Sequence, residues 1–170
     1  MMLHAAALAD PVTGATAVLV APSGTGKTTA STVLGRHLAY LTDETAGLTF
    51  DGAVLPYRKP LSIIESGHLK AQRSPSDLGL VTSVQNCHLV ALLVIERRPA
   101  HEGEPLVLEL ETVDALAALA PEASSLSRLD RPLQRLVTLI RHAGGVRHVT
   151  YSEAATLAPV IQALLERSPR

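Results

Sequence analysis

A chain of 170 residues with 46% hydrophobic content and a formal net charge of −1 has the length of one domain and enough apolar material for a core, which excludes a disordered chain. The near-neutral charge excludes general affinity for a nucleic-acid backbone, and an aromatic share of 2%, from Tyr40, Phe50, Tyr57 and Tyr151, leaves few platforms for stacking bases. A single cysteine, Cys87, excludes an internal disulfide framework, and the absence of a visible leader or membrane-length apolar run leads us to expect a cytoplasmic protein.

The opening Met1 to Leu8 is apolar but short, and it runs into the turn residues Asp10, Pro11 and Gly14. This predicts a hairpin of two strands, Leu3 to Leu8 and Thr16 to Val20. From Thr28 the apolar residues Ala30, Val33, Leu34 and Leu38 recur at three- and four-residue spacings, which predicts a helix with a weak point at Gly35. Leu38 to Thr42 reads as a short strand ending at Asp43-Glu44, and Leu48 to Leu55 as a hairpin turning at Asp51-Gly52. The stretch from Pro56 to about Gln85 is rich in Pro, Ser, Gly and charge, and is expected to be a loop, partly mobile.

Beyond it, the continuous apolar run Leu89 to Ile95 predicts a buried strand, and Leu106 to Leu110 another. Thr112 precedes an Ala/Leu helix that stops before Pro121, and Asp130 reads as the N-cap of a helix through Leu133, Leu136, Val137 and Ile140, ended by Gly144-Gly145. Val146 to Tyr151 is a last strand, and Val160, Ile161, Leu164 and Leu165 mark a last helix. Strands alternating with helices only in places predict one α/β domain over residues 1–170, with a mixed β-sheet flanked by helices. The Ala/Leu-rich helices after Thr112 can bury against that sheet or against a second copy of the chain.

The chemistry concentrates between the first two predicted elements. Ala21-Pro22-Ser23-Gly24-Thr25-Gly26-Lys27-Thr28-Thr29 follows a strand and opens a helix, the context a phosphate-binding loop requires. Backbone N–H groups of a glycine turn at a helix start converge on phosphate oxygens. Gly24 and Gly26 permit close approach, Lys27 can reach the β and γ phosphates, and the Thr28 hydroxyl can bind Mg²⁺. Ala21 stands where the usual pattern has its first glycine. Such a loop needs an acid for the metal. Asp43-Glu44 is preferred because a paired acid can divide metal binding and proton transfer; Glu96, at the end of the Leu89 run, is the alternative and carries Arg97-Arg98 beside it.

These residues resemble the HPr kinase/phosphorylase and phosphoenolpyruvate carboxykinase-like P-loop kinases. The run Ser23 to Thr29 looks like the carboxykinase form of the loop, Asp43-Glu44 lies where that group places an Asp-Asp pair, and His4 sits on the strand before the loop strand, where HPr kinases carry an active-site His. The resemblance covers about the first 60 residues. It implies an HPr kinase C-terminal-domain-like fold that binds ATP and Mg²⁺, with Ser23, Gly24, Thr25, Gly26, Lys27, Thr28 and Thr29 around the nucleotide. It implies Thr28, Asp43 and Glu44 at the metal, Lys27 on the transferring phosphoryl group, Asp43 as base, and His4 near the γ-phosphate. The chain departs from the group at Ala21 and Glu44, is too short for a carboxykinase, and lacks the C-terminal signature of HPr kinases. The acceptor is therefore left open as a protein, a peptide or a small molecule. The group's habits also imply oligomers, and an N-terminal substrate domain that this chain could have lost.

Other clusters carry weaker signals. Tyr57-Arg58-Lys59-Pro60 could meet an anion, and Arg73 or Arg97-Arg98 could supply a transition-state cation. His68, His88, His101, His142, His148 and Cys87 show no metal spacing and are read as ordinary surface or core residues. Two functions follow: an ATP-dependent phosphotransferase, or a nucleotide-dependent regulatory module with little turnover.

Overall fold

The computed structural model describes residues 1–64 and 70–166. Its centre is β1 (Met2–Ala9), an eight-residue strand of small and aliphatic residues with Leu3 and Ala5 to Ala9 fully buried. Alternation sends Leu3, Ala5, Ala7 and Ala9 to one face of the sheet and Ala6 and Leu8 to the other. A hairpin at Asp10–Gly14 leads to β2 (Ala15–Val20), antiparallel to β1, as the sequence predicts. The Asp10 carboxylate shapes this turn by accepting from the Val12 and Thr13 N–H groups and the Thr13 hydroxyl.

After β2 come α1 (Lys27–Leu34), β3 (Ala39–Thr42), β4 (Thr45–Leu48) and β5 (Val54–Leu55). The helix predicted through Leu38 stops four residues early. Gly35 caps it because the residue lies tight against its surroundings: a Cβ there would meet the Ser31 carbonyl at 2.5 Å and Leu80 at 3.3 Å. The Asp51-Gly52 turn joins β4 to β5, with Gly52 at φ 90°.

The expected loop of 56–85 contains a two-stranded sheet, β6 (Leu61–Ile64) paired with β7 (Lys70–Arg73). Leu61 is the reason: it is fully buried beside Tyr40 and Leu80, with Ile63 packed against them. Then follow β8 (His88–Arg97), β9 (Leu106–Leu110), α2 (Thr112–Leu119), the two-residue β10 (Ala123–Ser124), α3 (Pro132–His142), β11 (Val146–Tyr151) and α4 (Leu157–Glu166). Asp130 does not cap α3. Pro132 occupies the first helical turn and shifts the cap to Arg131, which takes a left-handed conformation at φ 49°.

The main sheet runs β5-β4-β1-β2-β8-β11-β9, with β3 and β10 also paired to β1. β2, β8 and β11 are parallel, and β1 and β9 are antiparallel to their neighbours. One face is covered by α2 and α3 through Ala115, Leu119, Leu136 and Leu139, the other by α1 and α4 through Ala30, Leu34, Leu157 and Ile161. The described residues thus form a three-layer mixed α/β structure, in which the Ala/Leu-rich helices pack on the sheet. Among the described residues no helix is long and apolar enough to cross a membrane.

Gly14 fixes where the first hairpin meets β8. It has φ 77°, its carbonyl accepts from His88 N–H at 3.0 Å, and a Cβ would come within 2.6 Å of the Gln85 and Asn86 carbonyls. Gly14→Ala should lower unfolding free energy by about 1–3 kcal/mol through strain and displaced backbone, measured by urea denaturation; an unchanged midpoint would refute this account of the turn.

Candidate functional site

The parallel strands end on one side of the sheet, and the loop after β2 opens there, at the place where α/β sheets hold ligands. The loop reaches α1 through Gly24 at φ 81° and Gly26 at φ 97°. No atom lies within 4 Å of a Cβ built on Gly24, whereas one on Gly26 would meet the Tyr151 hydroxyl at 3.3 Å. Gly24 is needed for its backbone angle and Gly26 also for the close approach behind it. Thr25 Oγ1 donates to the Pro22 carbonyl at 2.6 Å, and the Lys27 ammonium folds back onto the carbonyls of Ala21 and, at 2.9 Å, Pro22. Burial pulls the Lys27 pKa down, while the charges of Glu122, Asp43 and Glu44 push it back up in part.

Asp43 and Glu44 form the bend between β3 and β4. β1 holds this bend directly: it pairs with β3 through Ala7 to Ala9 and with β4 through Met2 to His4, and the Ala5 N–H donates to the Glu44 carbonyl at 3.0 Å. The Asp43 carboxylate is buried at 4% exposure. Its Oδ2 accepts from Thr28 Oγ1 at 2.9 Å, and its Oδ1 from the Tyr40 hydroxyl at 3.0 Å. Burial first, and then the Asp43 charge, push the Tyr40 phenol well above its ordinary pKa, so it remains a donor.

Lys59 completes this cluster, with Nζ 2.7 Å from Glu44 Oε2 and 3.9 Å from Asp43 Oδ1. The hydrogen bond from Lys59 and its charge hold the Glu44 pKa below the usual carboxylate value. Burial works against the Lys59 charge, but the Glu44 hydrogen bond and the two acidic charges outweigh it and raise the Lys59 pKa.

His4 lies across from the loop, its Nδ1 3.1 Å from Glu122 Oε2. A carboxylate only accepts, so Nδ1 carries the proton in this pair. Register explains the meeting: Leu3 pairs with Ala123 of β10, which delivers the preceding residue, Glu122, beside His4. Sequence reasoning missed Glu122, because a two-residue strand pairing across more than a hundred positions leaves no local pattern.

These groups line one cleft of about 540 Å³, formed by His4, the 23–29 loop and helix start, Asp43 and Glu44, Lys59, and Ser62, Ile63 and Lys70 of the small hairpin. Of the expected loop residues, Ser23, Gly24, Gly26, Lys27, Thr28 and Thr29 face it, and Thr25 does not. The chain has three lysines, and all three, Lys27, Lys59 and Lys70, line this cleft, whereas no arginine does among the described residues. Glu96 lies outside, bonded to Arg98 at 2.8 Å with His148 at 3.4 Å. Arg97 donates to the Ser152 carbonyl, Arg58 to the Tyr40 carbonyl, and Arg73 sits on β7. His88 and His101 bond to nearby carbonyls, His142 lies against Gly52, and Cys87 is buried. His68 lies outside the described residues.

No cluster of three or more His, Cys, Asp and Glu side chains that could hold a metal occurs among the described residues. The oxygens at hand, Thr28 Oγ1 and the carboxylates of Asp43 and Glu44, are hard donors. They fit a magnesium ion that takes its other ligands from phosphate and water, and they do not form a complete protein cage.

The Lys59–Glu44 pair sets a pH dependence with a definite sign. With its folded pKa depressed below 4.5, Glu44 stabilises the fold fully above that value, and this contribution disappears as pH falls through the folded value. Lys59→Met should therefore flatten the acid limb of the stability profile below the ordinary carboxylate value of 4.5, followed by urea denaturation; parallel wild-type and variant profiles would show that the pair is not coupled to folding.

No family model matches the chain, and no curated protein matches it. Among solved structures it is similar to the Hpr(Ser) kinase/phosphatase from Coxiella burnetii, at 13% sequence identity and a TM-score of 0.49, over 98% of this chain and 94% of that one. The function proposed below rests on this chain's own geometry.

Proposed function

We propose that this protein is an ATP-dependent phosphotransferase that works with Mg²⁺ on an acceptor hydroxyl or acid. The observation that carries the reading is the 2.9 Å contact between Thr28, at the start of the glycine-loop helix, and the buried Asp43, in the cleft that Lys27 also lines. Loop N–H groups and the α1 N-terminus bind the phosphates, and Lys27 exchanges its loop carbonyls for phosphate oxygens. Thr28, Asp43 and Glu44 would hold the metal, which would neutralise charge on the β and γ phosphates.

Transfer forms a bond between the acceptor oxygen and the γ-phosphorus and breaks the bond from that phosphorus to the β–γ bridging oxygen. The acceptor proton goes to His4. The resemblance gives this role to Asp43, which in this reading is committed to the metal. His4, held through Nδ1 by Glu122, keeps Nε2 for the proton, and Glu122 steadies the imidazolium that results. Glu122 is thus a positioning residue in this reading.

Calorimetric titration with ATP and Mg²⁺ tests the binding half. Lys27→Ala should weaken binding at least about tenfold, some 1.4 kcal/mol; equal affinity for both proteins would refute the loop as the nucleotide site. Phosphate release tests the chemistry: Asp43→Asn should lose turnover and keep much of its nucleotide affinity. Tight binding with no turnover in wild type would instead favour a nucleotide-dependent regulatory module.

Glu122→Gln should lower kcat by about 10–100-fold with little change in ATP affinity, and should shift the acid limb of the rate profile. Loss of ATP affinity without a change in that limb would mark Glu122 as structural.

A further inference from the structure

Lys59 sits where the proposed metal would have to enter. Its ammonium is 2.7 Å from Glu44 Oε2 and 3.9 Å from Asp43 Oδ1, and the side chain is 26% exposed. An exposed ion pair of two long side chains would mean little. Here one acid is buried and the lysine backbone is anchored to the same strand. The Tyr40 hydroxyl shares its one proton between Asp43 Oδ1 at 3.0 Å and the Lys59 carbonyl at 3.3 Å. On the preceding residues, the Arg58 guanidinium donates to the Tyr40 carbonyl at 3.2 Å and the Tyr57 N–H to the Leu41 carbonyl at 3.0 Å. Residues 57–59 are thus tied along β3, which brings the Lys59 ammonium to the acidic bend.

We infer that Lys59 is the built-in counter-ion of Asp43 and Glu44, which a divalent cation must displace before it can bind there. An ammonium and a divalent ion compete for these carboxylates, because the two cations repel at a separation of a few ångströms. One of the two negative charges is therefore already compensated without metal, and affinity for metal alone is low. Metal enters with nucleotide, whose phosphate oxygens add the ligands that outweigh Lys59. The Lys59 side chain lines the cleft, so its displaced ammonium stays beside the phosphates. This inference rests on the metal role proposed above for Asp43 and Glu44.

The probe is manganese(II) alone, titrated without nucleotide and followed by electron paramagnetic resonance of the free ion. Lys59→Met should bind Mn²⁺ about tenfold more tightly than wild type, Lys59→Arg should stay near wild type, and adding Asp43→Asn to Lys59→Met should abolish the gain. Lys59→Gln serves as a second neutral variant should Lys59→Met fold poorly, with thermal melts of each variant as the check. Equal affinity in wild type and the neutral variants, no Mn²⁺ binding by the neutral variants, or a gain that survives Asp43→Asn would each overturn the inference. The ATP titration with Lys27→Ala is independent of this comparison, so failure of the nucleotide reading and failure of the counter-ion are told apart.

Discussion

A carboxylate buried at the end of a strand must be given hydrogen-bond partners, and Asp43 draws the surrounding structure together by that requirement. Its hydrogen-bond donors come from two separate places, Thr28 at the start of α1 and Tyr40 on β3, and the Lys59 ammonium, from the segment after β5, adds its charge at 3.9 Å. Removing one donor leaves a hydrogen bond to a buried carboxylate unmade, which costs about 1–3 kcal/mol. The cluster thus ties the glycine loop to the neighbouring strand, and the loop's position depends on the acid as much as the acid depends on the loop.

β1 makes this possible because it is longer than its neighbours. Eight residues provide an edge for β3 and β4 in succession and, on the other side, for β10 and β2. The change of partner from β3 to β4 leaves the Asp43-Glu44 bend opposite Ala5, and the change from β10 to β2 leaves Glu122 beside His4. The alanines at 5, 6 and 7 matter here. α1 packs against β1 at this point, and small side chains let it lie close.

Much of this was legible in the residues. The β1–β2 hairpin, the glycine loop and the strand ending at Asp43 follow from periodicity and turn chemistry, because each is set by neighbours in sequence. What was hidden depends on distant partners. The helix end at Leu34 is set by Leu80 and Tyr40 crowding Gly35. The β6–β7 hairpin is held by the burial of Leu61 against Tyr40, while its second strand, Lys70–Arg73, looks like solvent-facing loop. Glu122 and Lys59 reach the site by pairing and backbone anchoring that no spacing rule encodes. The cap at Arg131 was missed for a local reason, since Pro132 outweighs the capping preference of Asp130.

The convergence of all three lysines on one cleft, in a chain whose other twelve cations are arginines, gives the site a chemical signature of its own. Guanidinium groups do not react with acylating reagents under conditions that modify primary amines. Every ε-amino group that such a reagent can meet in the folded chain borders the cleft, so amine acylation followed by peptide mapping would footprint this surface with almost no side-chain background. A tethered electrophile carried by a phosphate-mimicking ligand would face the same small set of targets, each at a different depth: Lys27 buried in the loop, Lys59 at the acidic bend, and Lys70 exposed on the small hairpin.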